Sequence, residues 1–345
     1  MTPTHTYRIN NIDGVLYNWN DINNEDFRWK SILIGNGASI NVWEKFNYRS
    51  IYAQASSSGS GSPLGIKDTN LFNTLDTHNF EQILSSLKTA SIINQALGLP
   101  DVEITQRYES IKSSLIGTIG EVHIPWRITP DLIISTIRSE ILNYKRVYTT
   151  NYDLLIYWSV MHQNNPAPFV DYFFTEEFDS SDTNIYDDAK TKVLYLHGAL
   201  HLYRLPNGTT LKRKAEEKRN LLDLFGQPYP GHPDAIPLIV SEGTSEDKLT
   251  SINQSDYLTF AFNKFAEERE DIVVLGHSLS DSDMHIVEAM RKLRGRRIAI
   301  GLLPESPTNL IAKQSSIVYK LPEALLHFFD ATTHPLGYSS QKVTP

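Results

Sequence analysis

The chain has 345 residues, 40% hydrophobic and 21% charged, a balance that suits a folded protein and excludes wholesale disorder. That length holds one large α/β domain with insertions or two modest ones. A net charge of −8 leaves no broad basic face for sequence-specific nucleic-acid binding, and with no cysteine there is no disulfide, no cysteine nucleophile and no cysteine-ligated zinc.

Residues 1–20 are polar, unlike a signal peptide, and no uncharged apolar run reaches the ~18 residues that span a bilayer, so a cytoplasmic chain is expected. Apolar runs without alternation at 32–34, 146–149, 193–197, 236–240, 272–276 and 297–302 predict buried parallel strands, with 316–321 a further strand. Between them apolar residues recur at helical spacing. The stretch 79–97 carries Phe80, Ile83, Leu84, Leu87 and Ala90 behind an Asn79 cap, and 130–144 carries Leu132, Ile133, Ile137 and Ile141 behind Pro130. Residues 256–267 and 282–292 read the same way.

Strands alternating with helices predict an α/β fold, a Rossmann-like doubly wound and mostly parallel sheet. The main domain is expected over 25–325, with a mostly helical insertion at 65–145, a second insertion at 199–232 and a C-terminal tail at 326–345. In the second insertion, residues 202–211 around Pro206-Asn207-Gly208 read as a hairpin, followed by a charged helix at 212–219. The Gly/Ser-rich stretch 55–63 reads as a flexible loop, placed to cover a nucleotide.

Four strands end in small or polar residues, which puts chemistry at the carboxyl edge of the sheet, where open α/β folds bind ligands. Gly35-Asn36-Gly37-Ala38-Ser39 follows the first, and its glycines would let backbone N–H groups approach a pyrophosphate. In Thr149-Thr150-Asn151-Tyr152-Asp153 the Asn151 amide can hold a water and a ribose hydroxyl together, and Asp153 can accept from an amide NH₂ such as that of nicotinamide. His197, before Gly198, is placed as a general base near neutral pH. Gly276-His277-Ser278 supplies a tight turn and a hydroxyl, and Asp281 and Asp283 either hold ribose hydroxyls or cap the next helix. Gly276-His277-Ser278-Leu279 also reads as the nucleophile elbow of a serine hydrolase. Each run by itself has a structural alternative: a turn, an Asn or Asp helix cap, a satisfied core histidine. The basic tract 291–297 sits where cations oppose a helix dipole.

Taken in order, these runs resemble the sirtuin-like NAD-binding family. Its Gly-Ala-Gly-x-Ser is matched by Gly35 to Ser39, its Thr-Gln-Asn-x-Asp by Thr149 to Asp153, its His-Gly by His197-Gly198, and its Gly-Thr-Ser-like turn by Gly276 to Ser278. The resemblance is closer to the bacterial branch of anti-phage defence, where Thr-Thr-Asn-Tyr-Asp, Leu-His-Gly and Gly-x-Ser-Leu-x-Asp are usual and an Asn-Phe-Glu run, here Asn79-Phe80-Glu81, precedes a helix. The zinc-binding cysteines of deacetylating sirtuins are absent, the family's Gln is Thr150, and the Ala-Gly-Ile-Pro-Asp-Phe-Arg loop has no clear counterpart, with Arg49 the candidate in its place.

The resemblance implies an NAD glycohydrolase that releases ADP-ribose and nicotinamide, an abortive-infection effector with NAD as substrate and no zinc. It implies that Asn151 positions ribose and water, His197 acts as base and Asp153 grips the carboxamide. Gly35, Asn36, Gly37 and Ser39 would lie at the pyrophosphate, Thr150 and Gly276 beside the dinucleotide, and Ser278 and Asp283 on the adenosine side. Control would come from a homo-oligomer or a regulatory partner such as a nucleotide-sensing subunit, a HerA-type ATPase or a short Argonaute. The alternatives are a non-catalytic sensor of NAD or an ADP-ribose derivative, and a serine hydrolase using Ser278.

Overall fold

The apolar runs pair into sheets in the computed structural model, which describes residues 10–24, 28–181, 188–215, 220–292 and 294–344. Its strands are β1 (Ser31–Ile34), β2 (Arg146–Thr149), β3 (Phe169–Val170), β4 (Thr191–Tyr195), β5 (Gly198–Arg204), β6 (Thr210–Lys212), β7 (Ile236–Ile239), β8 (Ile272–Leu275), β9 (Arg297–Leu302) and β10 (Leu325–Asp330). Seven of them form the central sheet in the order β10-β9-β8-β1-β2-β4-β3, every pairing parallel. All residues of β1, β4 and β8 are buried. A parallel strand covered by helices on both faces has no wet side, hence the unbroken apolar runs. The fold is therefore Rossmann-like α/β, as the sequence predicts.

The chain starts at β1 and builds outward through β2 and β4, then returns to add β8, β9 and β10 on the other side. The direction of growth reverses between β1 and β8. Loops leaving the two strands diverge there and open a crevice at their carboxyl ends, the usual ligand position of such sheets.

The first insertion holds four helices, Ile66–Thr74, Phe80–Leu97, Val102–Val122 and Asp131–Ile141; the second and fourth follow the predicted periodicity. Their buried faces, including Phe80, Leu84, Ile111, Leu115 and Ile119, belong to the same hydrophobic core as the sheet. The Gly/Ser loop is tied to this insertion rather than free over a ligand. The Gly61 amide donates to Glu121 Oε1 at 2.7 Å, and Ser114 Oγ donates to the Ser62 carbonyl at 2.6 Å. No helix among the described residues is long and apolar enough to cross a membrane.

Four expectations change. Residues 316–320 are helical, within Pro307–Lys320, and Leu321 is its C-cap. Ser306 caps that helix, Pro307 opens it, and Leu310, Gln314 and Ile317 are buried at helical spacing. β7 belongs to a separate antiparallel sheet of order β6-β5-β7, where it pairs with β5 of the expected hairpin. No helix starts at Lys212, which ends β6; residues 213–215 are not helical and 216–219 lie outside the described residues. The expected tail instead supplies β10 and buried Leu336 and Val343, with the Val343 amide donating to Val42 O at 2.8 Å.

Candidate functional site

A cavity of about 340 Å³ opens at the carboxyl ends of β8, β1, β2 and β4. Asn36 and Gly37 reach it from the end of β1, Thr150, Asn151 and Asp153 from β2, His197 from β4, and Gly276, Ser278 and Asp283 from β8. Of the residues singled out from the sequence, Gly35, Ser39, Arg49 and Asp281 do not line it. Its other wall is apolar, built from Phe46, Ile51, Leu115, Ile119 and Val122. A second cavity of about 330 Å³ adjoins it across Gly37, Gly276, His277 and Ser278, with Leu303, Ile317 and Leu336 among its apolar lining and Asn41 and Lys313 at its polar points.

The glycines act by allowing close approach of two loops, not by presenting amides. The Gly35 amide donates to Leu275 O at 2.9 Å and the Gly37 amide to Gly276 O at 2.8 Å, so neither is available to a phosphate. A Cβ on Gly35 would stand 2.6 Å from Gly276 O, and one on Gly37 would stand 2.9 Å from Gly276 Cα. Two strand-end loops cross here at backbone contact, which only residues without a side chain permit.

Ser39 likewise faces inward rather than toward a pyrophosphate. Asn151 Nδ2 donates to Ser39 Oγ at 2.8 Å and to Gly35 O at 3.2 Å, and Ser39 Oγ donates to Asp153 Oδ2 at 2.5 Å. Asp153 Oδ1 accepts at 2.9 Å from the amide of Leu155, the first residue of the helix Leu155–Val160, although the N-cap position itself is Leu154. Burial pushes the Asp153 carboxyl above the ordinary range. Both donors of the Asn151 amide are thus held in place, while its Oδ1 is buried with no partner. A buried acceptor without a donor is costly in an isolated protein and is the usual mark of a position completed by a ligand or water.

His197 Nε2 meets His285 Nε2 at 2.8 Å, and His285 Nδ1 lies 3.2 Å from Ser245 Oγ. Burial, then the neighbouring Lys248 charge and His285, holds His197 well below the ordinary histidine range; burial likewise brings His285 to about 4. Both imidazoles are therefore neutral near pH 7.

Behind them lies a buried ion cluster. Lys248 Nζ, fully buried, is 2.8 Å from Asp283 Oδ1 and 3.1 Å from Glu81 Oε2. Burial opposes the charge on Lys248, but the two carboxylates hold it protonated. Lys248 keeps Asp283 ionised against its burial, while burial raises Glu81. Asp283 is thus committed to Lys248 where it lines the first cavity. His197, Asp283 and His285 bring ligand atoms within 4.8 Å of one another, close enough for a divalent ion. The Lys248 ammonium on Asp283 already supplies the positive charge there, so these residues do not fit a resident metal.

Sequence reading missed Lys248, His285 and Ser245 and gave Glu81 no role. Glu81 was visible in the Asn-Phe-Glu run; Lys248 and Ser245 follow β7 with no local signal. Ser278 is exposed between the cavities, and no imidazole bonds its hydroxyl among the described residues. The left-handed residues of that turn are Gly276 and Leu279, not the serine, so the nucleophile elbow is not formed. A comparison with curated proteins gives no match. Residues 32–335 match the model of the family described as Domain of unknown function (DUF4917), and the chain belongs to that family.

Proposed function

We propose that the chain is an NAD glycohydrolase, releasing nicotinamide and ADP-ribose. The observation that carries this reading is the convergence of Asn151, with an unpartnered buried Oδ1, and His197 in one cavity at the point where the sheet order reverses. The ordered resemblance to sirtuin-like proteins supports it. NAD would lie across both cavities, its pyrophosphate crossing at exposed Ser278 and its adenosine among the apolar residues of the second.

Breaking the nicotinamide–ribose bond needs no acid, because the pyridinium leaves as a neutral base and takes the bonding pair. What remains for the protein is orientation of the ribose, stabilisation of the oxocarbenium-like centre and admission of one water. Asn151 holds a ribose hydroxyl and the water, and His197 meets the ribose beside it. The Asp153 carboxylate braces Asn151 through Ser39 and keeps lone pairs for the carboxamide. Chromatography of NAD incubated with wild type and with Asn151→Ala tests the reading: wild type releases nicotinamide, and the variant falls by about 10²-fold or more. Wild type that binds NAD and releases none selects the sensor alternative.

Unregulated NAD loss is toxic, so control by assembly, with a second copy or a regulatory protein, belongs to the same proposal. The tip of the hairpin formed by Phe80–Leu97 and Val102–Val122 exposes Ile92, Ile93, Leu97, Leu99 and Val102, a contact surface for such assembly. A chain that is monomeric and fully active alone counts against this control.

A further inference from the structure

We infer that Ser245 and His285 form a buried relay that fixes the tautomer of His197, so that His197 offers the cavity an N–H donor rather than a basic lone pair. This rests on the NAD reading for its substrate and on hydrogen-bond geometry between two neutral rings for its protons.

The chain of assignments starts at Ser245. Its Oγ accepts from the His285 backbone amide at 2.7 Å and has one other hydrogen-bonding neighbour among the described residues, His285 Nδ1 at 3.2 Å. A buried hydroxyl places its proton where an acceptor is available, and here that is Nδ1. A neutral His285 that accepts at Nδ1 carries its own proton at Nε2. That proton points at His197 Nε2, 2.8 Å away, which must then be the acceptor. A neutral His197 that accepts at Nε2 carries its proton at Nδ1, and Nδ1 has no hydrogen-bond partner among the described residues. The low proton affinity that burial gives both rings agrees with neutrality throughout. The tautomer follows from the hydrogen bond made by the other ring nitrogen, as in any oriented imidazole.

The cavity therefore presents a donor without a partner, His197 Nδ1–H, and an acceptor without one, Asn151 Oδ1. A ribose cis-diol complements that pair: one hydroxyl oxygen accepts from the imidazole, and one hydroxyl donates to the amide. In this role His197 orients the sugar. The C–N bond breaks with its electrons going to nicotinamide, the cation is captured by a water oxygen, and the water's proton leaves to solvent after the C–O bond forms. No proton is stored on His197. Ser245 and His285 touch no substrate and are positioning residues.

Long-range ¹H–¹⁵N spectra of histidine-labelled protein test the relay without substrate, with His197 assigned from the signals lost in His197→Asn. Protonated Nδ1 on His197 and protonated Nε2 on His285 are expected, and Ser245→Ala should mix the tautomers of both rings. An unprotonated His197 Nδ1 in the wild type overturns the relay. In nicotinamide release, His197→Asn, whose side-chain N–H replaces the Nδ1 donor, should stay within about tenfold of wild type while His197→Ala falls by about 10²-fold. Asn as inactive as Ala, in a protein with a wild-type circular dichroism spectrum, overturns the donor role. Wild type that releases no nicotinamide defeats the NAD reading instead, and the spectra still decide the relay.

Discussion

At Gly276 the backbone takes φ +70° and passes against the Ala38 amide, so a methyl group there meets strain and collision together. Gly276→Ala should cost roughly 2–4 kcal/mol, read as a lower urea midpoint. Ser39→Ala is a gentler probe of the same neighbourhood. It removes an acceptor from Asn151 Nδ2 and a donor from Asp153 Oδ2, so a loss of about 1–3 kcal/mol is expected, with nicotinamide release reduced as Asn151 loosens. Unchanged stability and turnover would show that Ser39 does not brace the amide. The sequence displayed these residues as a glycine turn and an Asn/Asp run. It did not show that Ser39 joins them, because that bond links positions 39, 151 and 153 only after β1 and β2 pair.

Among the elements, the Glu81–Lys248–Asp283 cluster fastens three pieces together: the start of Phe80–Leu97, the helix Ser245–Ile252 and the turn after β8. Breaking a buried ion pair from one side leaves uncompensated charge. Lys248→Met should destabilise by about 3–5 kcal/mol, and adding Glu81→Gln should recover part of that loss, since one stranded charge is removed. Denaturant melts of the single and double variants decide it; a double variant no better than the single shows that Glu81 is not stranded. Glu81 and Asp283 stood in runs the sequence displayed, but Lys248, which joins them, had no signature, because a lysine on a helix is an ordinary surface residue until packing buries it.

For the whole molecule, buried neutral histidines set the acid limit. His123 accepts the Leu154 amide at Nε2 (2.9 Å) and meets Ile124 O through Nδ1 (2.8 Å), and burial lowers it to about 4. His334 accepts the Leu336 amide and is lowered by burial to about 3. Their folded pKa values are depressed, so the unfolded chain takes up protons first as pH falls. Stability is then complete above the unfolded value near 6.5 and is lost between there and the folded values, at about 1.4 kcal/mol per pH unit for each ring. Urea midpoints should fall steadily from pH 6.5 to 4.5, and His123→Gln should flatten the slope by about one proton. A midpoint constant over that range would show the rings are not held neutral.

What the residues determined by themselves was the fold class and the four strand-end runs. Buried parallel strands must be apolar throughout, and polar groups can return only where the strand ends, so the edge chemistry was written locally in Gly35–Ser39, Thr149–Asp153, His197 and Gly276–Ser278. Tertiary structure decided which of those groups face a ligand. Register turned the glycine amides and Ser39 inward, helix packing set Lys248 under Asp283, and the juxtaposition of three distant segments placed Ser245 and His285 behind His197. Hydrogen-bond partners far apart in the chain follow from distance in space, and no local pattern records it.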